Sequence, residues 1–456
     1  MALSGLAIYK LLPKTNCKEC GFPTCLAFAM KLAQQGVEIS VCPYVSEEAK
    51  QTLEASSRPP IQLVTVGTGE RAFSVGNEVV LFRHEKAFYN PTALAVRVKT
   101  SQPRDDITAL VSAVDAYCAE RVGIDMRMNA IAIDGADGDA AAFASCVEQV
   151  KSITDMPLIL MSKDPGVMEA GLAKAGGGRP LIYSANAENV AQMAALAVQY
   201  KSPLAVFGSD LSQVAEVVEQ ANKAGVEELV LDPGGRGFGE SLTLFTQIRR
   251  LALKANERLV GYPVIAFPGE GTCSPEEEMV MAIQSVVKYA GIVVMDHFAP
   301  HHAYPLMTLR QNIYTDPQKP IQVKPGVYPI RDPGKDSPVL VSTNFSLTYF
   351  SVAGEVEGSG MPAWLVICDT DGLSVLTSWA AGKFDGEKIA KAVTSNEVGA
   401  RVDHRLVVIP GAVAVLSGET QEELAGWTVM VGPRESIDIP SYLKNIWVPR
   451  LQETVR

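Results

Sequence analysis

The eight cysteines of this 456-residue chain are unevenly placed: Cys17, Cys20, Cys25 and Cys42 crowd into one segment, while Cys118, Cys146, Cys273 and Cys368 stand far apart. The crowded four read C-x2-C-x4-C-x16-C in NCKECGFPTC…VCPY, with Pro43 directly after the last. Three thiolates within nine residues can wrap one cuboidal cluster from a single loop, and the fourth returns after a helix-length stretch, LAFAMKLAQQG. Gly21 permits the tight turn that such a loop needs. Four thiolates could also hold structural zinc, but zinc ribbons pair one C-x2-C knuckle with a second, and this chain has one. The spacing favours a [4Fe-4S] cluster on Cys17, Cys20, Cys25 and Cys42. With no other redox motif nearby, such a cluster moves single electrons and needs a partner redox centre. The scattered cysteines are read as buried small hydrophobes without a role.

Other residue groups carry weaker chemistry. The glycine-rich loops GGGR (176–179), DPGGRGFGE (232–240) and PGEGTCSPEEE (268–278) lie near strand ends and could cradle phosphate. None has the Lys-Ser/Thr ending of a P-loop, so loop geometry or partner docking is the preferred reading. His297, His301 and His302 in MDHFAPHH could present two ligands to a metal, but only Asp296 stands near as a carboxylate partner. A structural or interfacial role is preferred for them.

The elements that position these groups fall into three regions. Residues 1–58 hold the cysteine block and the polar, helix-like SEEAKQTLEA, which ends at the prolines of SSRPP. Residues 59–320 open with a hairpin of IQLVTVG and EVVLF turned at GTGERAFSVGN. Eight apolar runs follow at 93–98, 130–134, 157–161, 180–184, 203–207, 228–232, 263–267 and 291–296, separated by helix-length amphipathic stretches. Continuous apolar strands joined by helices imply a parallel sheet buried on both faces, and eight units close a (β/α)8 TIM barrel. An open doubly wound sheet is the alternative. Residues 321–456 begin with the extended, proline-rich connector PQKPIQVKPGVYPIRDPGKDSP and continue as a small α/β, Rossmann-like domain. Its expected strands are 338–343, 347–356, 363–369, 405–410 and 427–433, with helices in SVLTSWAAGKF, GEKIAKAVTSN and ETQEELAG.

Composition bounds the function. Hydrophobic residues make up 47% and charged residues 20%, and no apolar run approaches the roughly 20 residues that cross a bilayer, so no membrane partner is expected. A net charge of -11 argues against a nucleic-acid surface. The N-terminus lacks a basic lead and a cleavage site before a long apolar run, which reads as cytoplasmic.

The cysteine block, the barrel and a C-terminal domain carrying STNFSLTYF, CDTDGLSVLTSW and VMVGPRE together resemble the large (gamma) subunits of corrinoid iron-sulfur proteins, over the whole chain. NCKECGFPTCLAFAMKLA followed by CPY looks like that family's cluster domain, and residues 342–350 and 369–377 look like its corrinoid-binding loops. The resemblance implies a corrinoid (cobamide) cofactor whose cobalt(I) takes a methyl group from methyltetrahydrofolate through a separate methyltransferase and passes it to acetyl-CoA synthase/CO dehydrogenase. It also implies a heterodimer with a smaller barrel subunit. Cobalt(I) is a good nucleophile and leaving group but is easily oxidised, so a low-potential cluster on the same chain would return the lost electron. No catalytic residue is assigned.

Ligands bind at the strand ends of open α/β sheets. The expected corrinoid contacts are therefore Ser342, Thr343 and Thr348, the turn Asp371, Gly372, Leu373 and Ser374, and, with less weight, Gly411, Ala412, Gly432, Pro433 and Arg434. Clusters of this composition are also ordinary turns. The D-x-H-x-x-G motif that supplies a cobalt-ligating histidine is absent: His404 is the sole histidine here, and Val407 stands where glycine is required. The expectation is that cobalt has no protein nitrogen ligand. Two further readings remain open: a pterin-dependent methyltransferase barrel with an accessory cluster, and an electron-transfer adaptor without corrinoid.

Overall fold

The computed structural model describes residues 5–33, 37, 41–46, 49, 59–135, 138–316 and 321–454. The helix-like SEEAKQTLEA and most of SSRPP fall outside these residues. The chain forms two compact units, one of residues 1–117 and 127–314 and the other of residues 118–126 and 315–456.

In the cysteine segment two short helices, Gly5–Leu11 and Cys25–Ala33, pack together. Their core is small: Ile8, Leu12, Phe28, Ala29 and Val45, with Cys25 and Cys42 buried among them.

The segment after it opens with the antiparallel pair β1 (Val64–Val66) and β2 (Phe73–Val75). EVVLF is therefore not the second strand; FSV, inside the expected turn, takes that place. Val64, Val66, Phe73 and Val75 alternate inward onto the barrel core, while Thr65 and Ser74 pair their hydroxyls on the other face. That is the period of a half-buried hairpin. EVVLF instead supplies the buried Glu78, which pairs with Arg249.

The barrel follows with β3 (Ala93–Lys99) and, beyond a small hairpin of β4 (Ala119–Arg121) and β5 (Ile124–Met126), β6 (Ala130–Asp134), β7 (Leu158–Met161), β8 (Leu181–Ala185), β9 (Leu204–Phe207), β10 (Leu229–Asp232), β11 (Val264–Ala266) and β12 (Ala290–Met295). The eight expected runs are these eight barrel strands, and the ring β3-β6-β7-β8-β9-β10-β11-β12 closes with every pair parallel. Asp139, Asp164 and Asp210 start three of the outer helices by accepting backbone N–H bonds, the standard satisfaction of a helix N-terminus. Gly67 donates to the Arg179 carbonyl just before β8, so the β1–β2 hairpin plugs the end where strands begin. The opposite mouth, where active sites form in such barrels, is left to side chains of the strand ends.

In the second unit the strands β13 (Gly326–Ile330), β14 (Val339–Thr343), β15 (Ala363–Cys368), β16 (Leu406–Ile409) and β17 (Thr428–Val431) form one sheet in the order β13-β15-β14-β16-β17. All neighbours are parallel except β13 with β15. Two expectations are corrected. Residues 347–356 are not a strand but part of the helix Ser346–Ser359. β14 and β15 are parallel neighbours, and a parallel pair needs a crossover between its members. Tyr349, Val352, Ala353 and Val356 turn to the sheet at helical spacing, a period masked by β-branched and aromatic composition. The supposed extended connector contains β13. It pairs at the sheet edge, the position where Pro329 can lack its N–H without breaking a central ladder. One apolar cluster lies on each face of the sheet, and Val122 of the β4–β5 hairpin belongs to one of them.

Phe143 is fully buried, and its ring lies so close to Gly135 and Gly171 that a methyl group at either would overlap it. Phe143→Ala therefore leaves a cavity that those glycines cannot fill. The variant should lose about 3–5 kcal/mol of barrel stability, read as an earlier midpoint in urea unfolding followed by circular dichroism.

Candidate cofactor sites

Cys17 is exposed, Cys20 is half-buried, and Cys25 and Cys42 are buried. The loop before the second helix is held in an unusual backbone: Lys14, Asn16 and Lys18 have φ of 58°, 50° and 66°, and Gly21 has 79°. Side chains rarely adopt that region, and it persists where surroundings enforce it. Here Asn16 enforces it, accepting the Cys25 N–H at 2.8 Å through its side chain while its own N–H points at the Cys25 sulfur, 3.4 Å away. Tyr44 donates its hydroxyl to Glu19 at 2.9 Å. Hydrogen bonding to Glu19 and its charge, with further contributions from Cys17 and Cys42, hold the phenol above its ordinary value. Cys20, Cys25 and Cys42 thus belong to one small apolar cluster. Among the described residues no three His, Cys, Asp or Glu side chains already stand as a closed coordination set. The donor chemistry nevertheless fits a soft metal centre: four thiols in one segment, with an N–H directed at a sulfur.

Of the scattered cysteines, Cys146 and Cys368 are buried as expected, and burial pushes the Cys368 thiol up to about 12. Cys118 and Cys273 are exposed, contrary to expectation, because they lie in loops, after the helix Arg104–Ala116 and before the helix Pro275–Val287.

At the C-terminal ends of β14, β16 and β17 an open cleft of about 410 Å³ is lined by Ser342, Thr348, Ser374, Ala412, Gly432, Pro433 and Arg434. Seven of the twelve expected contacts come together there. The Ser342 hydroxyl is buried with no protein partner, and so is that of Thr343 beside it. Buried hydroxyls are normally satisfied, and of these two only that of Ser342 lines the cleft, where an outside group could pair with it. Gly411 stands just behind the lining: its N–H donates to the Pro433 carbonyl at 3.0 Å, and a side chain there would collide with the backbone of Gly432 and Pro433. Asp371, Gly372 and Leu373 do not line the cleft. They form the turn that leads to Ser374, with φ of 55° and 73° at the first two, and Asp371 pairs with Lys383.

Asn344 is the residue that sequence reasoning passed over. It is buried, and its side-chain oxygen accepts from the Thr370 N–H, the Thr370 hydroxyl and the Gly372 N–H, while its amide donates to Asp369. One side chain after β14 therefore shapes the whole turn after β15. Its signal was its place in STNF, directly after an apolar strand. The rim also carries apolar groups that were not expected as contacts: Leu347 and Leu376 are 66% and 52% exposed.

His404 lies at the other end of the sheet, before β16. One ring nitrogen (Nε2) is 2.9 Å from the Ser337 carbonyl, and the other (Nδ1) accepts the Leu406 N–H at 3.2 Å. Both nitrogens are committed, which fixes a neutral ring with its proton on Nε2. Trp447 covers it edge-on.

The barrel mouth holds a chain of charges. Arg97 binds Asp296 through two bonds of 2.6 and 2.7 Å and Glu270 through one of 2.6 Å. Glu270 also binds Arg236 at 2.6 Å, Arg236 grips Asp232 twice at 2.8 Å, and Tyr183 donates to Asp232 at 2.6 Å. Burial alone would lower the two guanidinium values, but their carboxylate partners hold both above the ordinary range. The loops 232–240 and 268–278 thus spend their polar side chains on each other. His297 gives one ring nitrogen to the buried Glu278 at 2.7 Å. His301 and His302 contact each other, ring to ring at 4.3 Å, and form no metal set with it. The third loop, GGGR, begins at the left-handed Gly176 that ends a helix, at the plugged end of the barrel.

Comparison with known proteins agrees with this organisation. The model of the CO dehydrogenase/acetyl-CoA synthase delta subunit family matches residues 63–443, and an Fe-S cluster family model matches residues 12–44. The chain therefore belongs to the CO dehydrogenase/acetyl-CoA synthase delta subunit family, whose model covers the barrel and the C-terminal sheet, and the separate Fe-S model covers the cysteine segment ahead of them. Within it the chain stands with the large subunits of corrinoid/iron-sulfur proteins. It is 45% identical to the corrinoid/iron-sulfur protein large subunit of Moorella thermoacetica, covering 97% of this chain and 99% of that one. It is 36% identical to the acetyl-CoA decarbonylase/synthase complex subunit gamma of Methanopyrus kandleri, with 99% of each chain covered. The gamma subunit of Methanothermobacter thermautotrophicus is 35% identical, over 98% of this chain and 99% of that one. Among the described residues no helix is long and apolar enough to cross a membrane.

Two predictions follow from the C-terminal unit. Asn344→Ala strands two backbone donors and should cost about 1–3 kcal/mol, with faster proteolytic nicking of the 369–374 turn. Burial, the main cause, holds His404 below its ordinary 6.5. The unfolded chain then binds more protons in mild acid, so this contribution is complete above pH 6.5 and is lost as pH falls. Thermal unfolding of wild type should therefore lose more stability between neutral and mildly acidic pH than that of His404→Gln.

Proposed function

We propose that the chain is a methyl carrier with two cofactors: a [4Fe-4S] cluster on Cys17, Cys20, Cys25 and Cys42, and a corrinoid in the cleft at the strand ends of the C-terminal sheet. The observation that carries the reading is the cleft itself, which has the buried, partnerless Ser342 hydroxyl in its wall and seven expected contacts around it. When bound, the corrinoid supplies cobalt that takes a methyl group from methyltetrahydrofolate, delivered by a separate methyltransferase, and yields it to acetyl-CoA synthase. The chain's own residues hold and orient. Ser342, Thr348 and Ser374 offer hydroxyls to amide or nucleotide groups, Gly432 and Pro433 admit close backbone approach, and Arg434 offers charge to a phosphate. Thr343 and Gly411 support the floor, and Asp371, Gly372 and Leu373 set the turn that delivers Ser374.

His404 cannot reach such a ligand, because both its nitrogens are bonded at the opposite end of the strands. A bound cobalt would accordingly have no imidazole ligand from His404, which would ease its reduction. The four cysteines serve reductive repair of oxidised cobalt rather than methyl transfer. The paired charges of the barrel mouth favour a carrier over a barrel enzyme, since they already satisfy one another. In this reading residues 1–58 are the cluster domain, 59–320 the barrel and 321–456 the corrinoid domain. A smaller barrel subunit completes a heterodimer that works in the cytoplasm in the acetyl-CoA pathway.

Anaerobic co-expression with the small subunit and available corrinoid tests this. One cobalt and about four irons per chain are expected, the content of a cluster held by four cysteines; iron without cobalt overturns the carrier reading. Cys20→Ala should block reductive reactivation and spare methyl transfer from protein already reduced. Equal loss of both in a folded variant would refute the electron-only role. Nitrogen hyperfine splitting in the cobalt(II) EPR spectrum that vanishes in His404→Ala would refute the ligand assignment.

A further inference from the structure

We infer that the β4–β5 hairpin is a strap that holds the cleft turn in its binding shape: its buried tip fixes residues 322–324, and these fix Asn344 and the turn 370–374. The inference rests on the corrinoid reading above and adds a positioning element that lies outside the cleft. By chain order the hairpin stands between two barrel strands, β3 and β6, yet residues 118–126 pack as part of the second unit. Both of its roots are fastened in the first unit. Tyr117 meets Phe298 edge-on, ring centres 5.5 Å apart, and Arg310 donates to the Arg127 carbonyl at 3.2 Å and to the Asn129 side-chain oxygen at 2.6 Å.

The tip is a two-residue loop, Val122 and Gly123, with φ of 52° and 75°. Hairpin loops of this kind favour asparagine, aspartate or glycine, and a β-branched residue in that region is an outlier. Valine strains the turn and gains burial. Its side chain is 6% exposed, in one apolar cluster with Val323, Leu340, Val356 and Leu443. A two-stranded hairpin is marginal by itself, so this one keeps its shape through what its tip enters. Gly123 closes the fit, since a methyl group there would meet the Lys324 side chain at 2.9 Å. Arg121 lies over the ring of Phe350, 5.9 Å from its centre. Phe350 stands on the helix Ser346–Ser359, which also brings Thr348 to the cleft.

Residues 322–324 carry the influence of the tip to the cleft. The Val323 N–H donates to the Asn344 carbonyl at 2.9 Å, and Gln322 forms an antiparallel bridge with Phe345, the next residue. The Gln322 side chain also fills the space over Gly372: a methyl group on that glycine would lie 2.6 Å from it. Asn344 holds the same turn through the Thr370 and Gly372 N–H groups, at 3.0 and 2.9 Å. The turn is thus gripped by two side chains, and it ends in Ser374, in the cleft wall. Removing the Val122 side chain opens a cavity in the cluster that Val323 shares and loosens the segment on which both grips depend.

The test uses the full chain, iron-loaded and purified without corrinoid, and reads amide hydrogen exchange together with hydroxocobalamin binding by absorbance titration. The variants are Val122→Asn, which suits the turn but not the apolar cluster, and the milder Val122→Ala. Leu443→Ala, in the same cluster but outside the hairpin and the connector, controls for general softening. Both Val122 variants should speed exchange at 119–126 and at 370–373, and weaken hydroxocobalamin binding at least about fivefold, the lower range of coupling between sites. Leu443→Ala should leave the turn and the affinity as in wild type. Faster exchange in the hairpin with unchanged exchange and affinity at the turn overturns the strap. So does unchanged exchange in the hairpin itself, or an equal loss of affinity in Leu443→Ala. Hydroxocobalamin that fails to bind wild type removes the corrinoid reading alone, because exchange at 370–373 still decides whether the hairpin sets the turn.

Discussion

Parallel strands cannot be joined by a tight turn, and nearly every other feature of this molecule depends on that constraint. Successive parallel strands in the barrel and in the C-terminal sheet must each be joined by a crossover that returns the chain to the starting edge. All strand ends therefore gather on one side of each unit. In the barrel they deliver Arg97, Tyr183, Asp232 and Asp296 to one mouth. In the sheet they deliver Ser342, Ala412 and Gly432 to one cleft. Strand beginnings gather on the opposite side by the same rule, which is why His404, two residues before β16, is remote from the cleft.

The two collections of strand ends differ in what they leave unsatisfied. At the barrel mouth two guanidinium groups, Glu270 between them, and Asp296 and Asp232 outside them form one continuous chain of charge-assisted bonds, with the Phe267 ring under both arginines. Removing such charges from water is costly, and the bonds offset that cost only because every group is paired. A ligand there would have to break pairs before making any. In the C-terminal cleft the balance is reversed: the Ser342 hydroxyl in its wall is buried without a partner, and apolar side chains stand in solvent at the rim. A large, partly apolar ligand with many amide groups would gain contacts there without displacing existing ones.

Much of this was legible in the sequence, for identifiable reasons. The eight barrel strands are buried on both faces, so they read as unbroken apolar runs, as in AIAID and LILM, and could be counted. The same reasoning failed at 347–356, where Leu, Tyr, Phe and Val suggest a strand and only the need to cross between β14 and β15 makes a helix. β13 was hidden by its prolines, which a central strand could not tolerate but an edge strand can. FSV was too short to stand out from the glycines around it. At the sites, glycine and hydroxyl groups at strand ends were legible because a close approach requires them. Asn344 was not, since its role lies in hydrogen bonds to a turn 26 to 28 residues away. The apolar rim was missed for a related reason: exposure is a tertiary property.

The cysteine segment is where local sequence and global stability are most tightly joined. Among the described residues its core amounts to two short helices and a handful of apolar side chains, and two of those are Cys25 and Cys42. A unit of this size is too small to bury much of its own surface, and such units usually depend on a metal or another cross-link. Its loop also holds three non-glycine residues in left-handed backbone, a local cost that something else must offset. A cluster joining residues 17, 20, 25 and 42 would supply that offset by tying the loop, the helix start and the turn at Cys42 to one point. Metal binding would then be part of the folding energy of the segment rather than an addition to a finished fold. The same four side chains that hold the electron-carrying group would hold the segment together, so the spacing C-x2-C-x4-C-x16-C records a folding requirement as much as a redox one.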